Sequence, residues 1–171
     1  MKRIVYIGKF QPFHKGHKQV IKELSEEYDE VVIVIGGAEK SFDTKYVFTA
    51  GERVEMIQQT VGQKADYIIP VPDINNNAVW TQHINQYTPE YNYICSNNPL
   101  VLRLYKNTTK QIRTINMKNR DKLSGTKIRN KMLNNQKWRD LVPDETVKII
   151  EKYNGIDRIR ELSNKDKDYS D

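Results

Sequence analysis

The chain has 171 residues, of which 28 are Lys or Arg and 22 Asp or Glu, for a formal net charge of +6; that is the size of one ordinary domain with room for a substantial core. No apolar run approaches the roughly 20 residues needed to cross a bilayer and the N-terminus lacks the apolar stretch of a secretion signal, so a cytoplasmic protein with no membrane association is expected. The charge is unevenly placed: residues 101–139 hold twelve Lys or Arg and a single acid, Asp121, for +11, which leaves −5 on the remainder. One region is therefore suited to an anion, either nucleic acid or a polyphosphate.

In chain order, "RIVYIG" (3–8) is a short apolar run of strand type. "GKFQPFHKGH" (8–17) follows it and leads into "HKQVIKELSEEY", where Val20, Ile21 and Leu24 share a helical face. "VVIVIG" (31–36) is the second strand. "FTAGERVEMIQQTV" (48–61) begins with Thr49 as N-cap and Glu52 three residues later, a capping box. "DYIIPVP" (66–72), "YNYIC" (91–95) and "QIRTI" (111–115) supply three more strands, separated by the helical patterns "NAVWTQHINQY" and "NPLVLRLYKN". Cys95, the only cysteine, lies inside the fourth run and is expected in the core. "SGTKIRNKMLNN" and "PDETVKIIEKYN" are helical, with Pro143 at the first helical position and Gly155 as a stop. Trp138 is expected to pack a helix end on the domain. Near-continuous apolar strands alternating with helices predict a Rossmann-like, doubly wound parallel α/β sheet of about five strands. Helices cover both faces and a helical segment closes the C-terminus. The domain is expected over residues 1–162, with 163–171 a flexible tail.

The stretch 8–17 sits at the carboxyl edge of the first strand, where open α/β sheets bind ligands. A helix N-terminus there offers free N–H groups and a partial positive charge to a phosphate. Gly16 permits close backbone approach and Pro12 stiffens the turn. Zinc would need a third ligand besides His14 and His17, and His83 is the only other histidine. Either histidine alone would serve as an ordinary cap; the pair with Gly16 favours phosphate. "LSGTKIRNKM" (123–132) repeats the arrangement after the fifth strand. Ser124 and Thr126 can cap or bind phosphate oxygens, and Arg129 lies one turn in. Alone this is an N-cap; beside the first motif it is a second phosphate grip.

"HKGH" and "SGTKIR" together resemble the motifs of the HxGH nucleotidyltransferase superfamily. The longer forms "GKFQPFHKGH", "FTAGER", "VPDINNNAVW" (71–80) and "SNNPLV" (96–101) are similar to the archaeal-type nicotinamide-nucleotide adenylyltransferases, over nearly the whole chain. The resemblance implies a Rossmann-like fold, ATP and nicotinamide mononucleotide as substrates, NAD as product, and Mg2+ carried mainly by the ATP phosphates, with no side-chain metal ligands. It also implies a homo-oligomer, commonly a hexamer. It assigns His17, His14, Lys9 and Arg129 to catalysis. ATP would be held by Gly8, Lys9, Phe10, His14, Gly16, His17, Lys45, Ser124, Gly125, Thr126 and Arg129. Asp73, Asn77, Trp80 and Asn98 would hold the mononucleotide. An indole suits a cationic pyridinium and an amide pairs with an amide; core packing is an equal reading of Trp80. Lys9 and Lys45 stand where the family has arginine, which keeps the charge but loses a planar fork. A solvated lysine is an equal reading of Lys45.

Two alternatives accompany this reading. Another HxGH enzyme would transfer to FMN, phosphopantetheine or a cytidylyl acceptor, but the "FQPFH" and "NNNAVW" forms point away from it. A nucleic-acid binder would use the basic region 101–139, which lacks the interleaved aromatics of a strand-binding surface. No nucleic-acid partner is expected.

Overall fold

The structure, a computed structural model, describes residues 1–115 and 123–168, with side chains through Asn164. Five strands, β1 (Arg3–Gly8), β2 (Glu30–Gly36), β3 (Tyr67–Val71), β4 (Tyr93–Cys95) and β5 (Gln111–Arg113), form one sheet in the order β3-β2-β1-β4-β5. Every neighbouring pair is parallel. The five apolar runs of the sequence thus become five strands.

Alternation along the strands divides the core into two layers. Ile4, Tyr6, Val31, Ile33 and Ile35 face one layer, which holds Val20, Ile21 and Leu24 of α1 (Lys15–Glu27) and Met56, Ile57 and Val61 of α2 (Ala50–Val61). Val5, Val32 and Val34 face the other, with Ile84 of α3 (Trp80–Tyr87) and Val101 and Tyr105 of α4 (Pro99–Tyr105). α1 and α2, before β3, therefore cover one face and α3 and α4, the next two helices, cover the other, so the winding reverses between β1 and β4. That switch point opens a crevice at the carboxyl edge. The outer strands are less enclosed than their apolar sequences predict: Tyr67 of β3 and Ile112 of β5 are exposed. Pro70 is tolerated in β3 because that strand is an edge.

The remaining helices, α5 (Gly125–Leu133), α6 (Asp144–Lys152) and α7 (Gly155–Asp168), close over the α1/α2 layer. Trp138 is buried there, packing a short 3-10 turn (Arg139–Leu141) on the domain as expected. Three boundaries differ from the sequence reading. Pro143 is the cap residue before α6 and not its first helical residue. Gly155 does not stop the helical segment but begins α7. The reversal falls on Asn154 at φ +51°, while a Cβ on Gly155 would lie 2.8 Å from the Phe48 ring. Its small size serves packing. Residues 163–168, expected to fray, continue α7, whose inner face includes Ile159 and Leu162. Residues 169–171, and 116–122 of the basic region, lie outside the described residues. Among the described residues no helix is long and apolar enough to cross a membrane.

Candidate active site

The turn from β1 into α1 places the two histidines of the first motif together. His14 is the N-cap of α1, and its Nδ1 accepts the backbone N–H of His17 at 3.4 Å. His17 Nδ1 accepts the backbone N–H of His14 in return, at 3.2 Å. The arrangement is a capping box built from imidazoles in place of hydroxyl and carboxylate. The rings stack with centroids 3.5 Å apart and planes 19° from parallel. An Nδ1 that accepts an N–H carries no proton, so the neutral ring bears its proton on Nε2. Burial lowers the His14 pKa to about 4 and holds His17 well below its ordinary value, with His14 as a second, smaller cause for His17. Two neutral Nε2–H donors result. Capping and ligand binding, which the sequence sets against each other, are compatible here because each ring has two nitrogens.

Both histidines line a cleft of about 360 Å³ together with Lys9, Phe10, Gln11, Lys45, Gly125, Thr126 and Arg129. Its charged lining is wholly cationic. The second motif meets the first because Gly125 is small: a Cβ there would lie 2.7 Å from the Gln11 carbonyl oxygen. Arg129 stitches the walls, donating to the Gln11 carbonyl at 2.7 Å, the Thr44 carbonyl at 3.0 Å and Thr126 Oγ1 at 3.4 Å. Burial lowers its pKa, and nearby Asp43 and Tyr46 oppose the shift. Lys45 is exposed at the rim. Ser124 does not line the cleft; its hydroxyl accepts the Lys127 N–H and caps α5. Gly16 is buried in the first turn of α1, and Gly8 lines a neighbouring space.

That neighbouring cleft has a volume of about 440 Å³ and brings together Asp73, Asn77, Trp80 and Asn98, all four residues expected of the second substrate site. Trp80 is half-buried, edge-on to Tyr105 at 6.2 Å, so it packs on the core and also lines the cleft. Asn98 caps α4 through Oδ1, which accepts the Leu100 N–H at 2.9 Å. Asp73 accepts Lys40 Nζ at 2.7 Å, an ion pair between the loops that follow β2 and β3. Lys9 belongs to both clefts. Its ammonium lies 4.9 Å from the centre of the Tyr46 ring, as Lys40 does at 5.3 Å.

Three residues of the site were not found from the sequence. Gln11 is buried and exchanges hydrogen bonds with the Phe48 backbone, tying the turn after β1 to the start of α2. Tyr46 packs against Gly37, where a Cβ would come within 2.7 Å of its ring. Arg53 is fully buried beneath the strand ends. Its signal was its spacing: it shares the apolar face of α2 with Met56, Ile57 and Val61, where a cation needs buried acceptors. His83 is structural, with Nε2 2.7 Å from the Pro72 carbonyl. Among the described residues no three His, Cys, Asp or Glu side chains group to hold a metal ion.

A parallel sheet with a phosphate-type turn at its switch point defines a nucleotide-binding α/β domain, and comparison with known proteins makes the class specific. Residues 5–131 match the cytidylyltransferase-like family. The nicotinamide-nucleotide adenylyltransferase of Methanolobus tindarius is 43% identical over 173 residues, covering all of both chains. That of Methanococcus maripaludis is 46% identical over 169 residues, covering 97% of this chain and 98% of the relative. The chain belongs to the cytidylyltransferase-like family and, within it, to the nicotinamide-nucleotide adenylyltransferases. Among solved structures, a bifunctional NMN adenylyltransferase/ADP-ribose pyrophosphatase from Francisella tularensis, complexed with AMP and a manganese ion, shares the fold. It superposes with a TM-score of 0.76 at 18% identity over 95% of this chain, which spans about half (53%) of its length.

Proposed function

We propose that the protein transfers the adenylyl group of ATP to nicotinamide mononucleotide, giving NAD and pyrophosphate, with each substrate in one of the two clefts. The observation that carries this reading is that the clefts meet at Lys9, beside the histidine pair. A phosphate oxygen of the mononucleotide forms a bond to the α-phosphorus as the bond to the β-phosphate bridging oxygen breaks, and pyrophosphate departs with that electron pair. The second pKa of the attacking phosphate is ~6, so it is already ionised at neutral pH and no protein base is required. What the reaction needs is two mutually repelling anions held in line, with donors aimed at the oxygens where charge builds.

The residues supply this from both sides. His17 Nε2–H donates to the α-phosphate, and His14 donates beside it. Lys9 offsets charge between the two anions. Thr126, the Gly125 backbone and the Arg129 donors not already used hold the β- and γ-phosphates, with Lys45 at the rim. Ser124 acts by capping the helix that presents them. In the second cleft Trp80 lies against the pyridinium ring and Asn77 and Asn98 meet its polar groups. Asp73, neutralised by Lys40, shapes the loop that carries Asn77. A divalent metal, Mg2+ in this reading, would be held by the triphosphate itself and would supply neutralisation of phosphate charge beside the cationic lining. A homo-oligomer, the hexamer of the family resemblance, completes the reading and is measured by sedimentation. With ATP and Mg2+, an acceptor panel of nicotinamide mononucleotide, FMN and phosphopantetheine should release pyrophosphate only with the first. Turnover confined to either of the others would overturn the assignment.

A further inference from the structure

Arg53 enters the site from beneath. Its side chain rises from the first turns of α2, is fully buried, and ends under the carboxyl edge of β1 and β2. Nη1 donates to the Lys9 carbonyl at 3.1 Å and the Gly36 carbonyl at 2.9 Å. Nη2 donates to the Gly37 carbonyl at 3.0 Å and Nε to the Thr49 carbonyl at 3.2 Å. Among the described residues its hydrogen-bond acceptors are thus all main-chain carbonyls. A guanidinium is rarely enclosed without a carboxylate, because desolvating a charge is costly. Here four carbonyl dipoles accept its hydrogen bonds; three of them, from Lys9, Gly36 and Gly37, lie where β1 and β2 end, and the fourth is that of Thr49, the cap of α2. One of them, Lys9, is exposed to both clefts, and Gly36 lines the second.

We infer that Arg53 is a positioning residue that acts through Lys9, fixing its backbone so that its ammonium stands between the two bound phosphates. The inference rests on the adenylyl-transfer reading above. It has three physical supports. The planar fork spans carbonyls from two strands at once, which a single ammonium cannot do with the same geometry. The ladder of β1 and β2 ends at the pairing of Gly8 with Ile35, so the fork bridges the two chains just beyond the last ladder pair. The lysine side chain itself is held only by the Tyr46 ring among the described residues, so its placement depends on its main chain.

The test is a double-mutant cycle of Lys9→Ala and Arg53→Lys, each checked for a cooperative thermal transition. Arg53→Lys should lower kcat/KM about tenfold for ATP and for nicotinamide mononucleotide alike, but less than about threefold when Lys9 is already Ala. Equal losses in both backgrounds would mean that Arg53 supports the fold alone and would overturn the inference. A second measurement uses the folded wild type, should Arg53→Lys fail to fold. Inorganic tripolyphosphate should slow hydrogen exchange of the Arg53 guanidinium in wild type and leave it unchanged in Lys9→Ala. An identical response in the two proteins would also overturn it. Because tripolyphosphate binding is read without turnover, a wrong acceptor assignment would leave this measurement intact.

Discussion

At the residue scale, the histidine pair sets the chemistry. A ring that already spends Nδ1 on a backbone N–H can only donate from Nε2, and burial keeps it neutral. The consequence for pH is specific. An unfolded histidine titrates near 6.5 and folded His14 near about 4, so between those values the unfolded state binds more protons. The His14 contribution to the stability of the ligand-free protein should therefore fall as pH drops from 6.5 towards 4 and level off below. The His14 contribution is about 3 kcal/mol. Urea unfolding across that range checks it, and His14→Asn, which can still cap the helix, should flatten the slope. An unchanged slope would place the titrating group elsewhere. The two ends of the site should also separate kinetically. Trp80→Ala should raise KM for the mononucleotide with little change for ATP, whereas His17→Ala should depress kcat, because a bond that strengthens in the transition state is lost. A normal kcat in His17→Ala would remove that histidine from the reaction.

At the element scale, the loop that carries Tyr46 and Lys45 is anchored from a distance by α7. Arg158 of α7 pairs with Glu52 through both carboxylate oxygens, at 2.7 and 2.9 Å, and donates to the Val47 carbonyl at 3.1 Å. Glu52 also closes the Thr49 capping box that starts α2. Both side chains are largely enclosed, so removing one partner strands a charge. Arg158→Met should cost about 3 kcal/mol, the low end for breaking a buried pair. It should also raise KM for ATP more than for the mononucleotide, since the loosened loop borders the first cleft. Thermal unfolding and steady-state kinetics on one preparation decide both. Elements were the most legible part of the sequence: near-continuous apolar runs found all five strands, and the Thr49–Glu52 spacing found the start of α2. What failed was the C-terminus. A glycine after a helix suggests a stop, but the reversal fell on Asn154, and the role of Gly155 depends on Phe48, about a hundred residues earlier. Charged residues after 163 masked the continuation of α7, whose inner-face contacts come from residues before them.

At the scale of the whole molecule, the switch between β1 and β4 explains why one edge of the sheet holds two adjacent clefts. The site residues expected from the sequence fall into them nearly as sorted: cationic and histidine side chains in one, Asp73, Asn77, Trp80 and Asn98 in the other. Ser124 and Gly16 lie behind the lining, as cap and buried turn. Gln11 and Tyr46 escaped because their partners are main-chain groups and rings brought in by tertiary contact, which no local spacing records; the helical spacing of Arg53 marks it as buried, but its carbonyl acceptors are likewise supplied by tertiary contact. The central claim is that the mononucleotide attacks the α-phosphorus directly, with neutral, protonated-Nε2 histidines as donors and no protein nucleophile. The most direct measurement is the stereochemical course at phosphorus, with ATP made chiral by sulfur at the α-phosphate and nicotinamide mononucleotide as acceptor. A single displacement gives the thio-analogue of NAD with inverted configuration, which is the expected result. Retention would reveal two displacements through an adenylylated side chain and would contradict the mechanism.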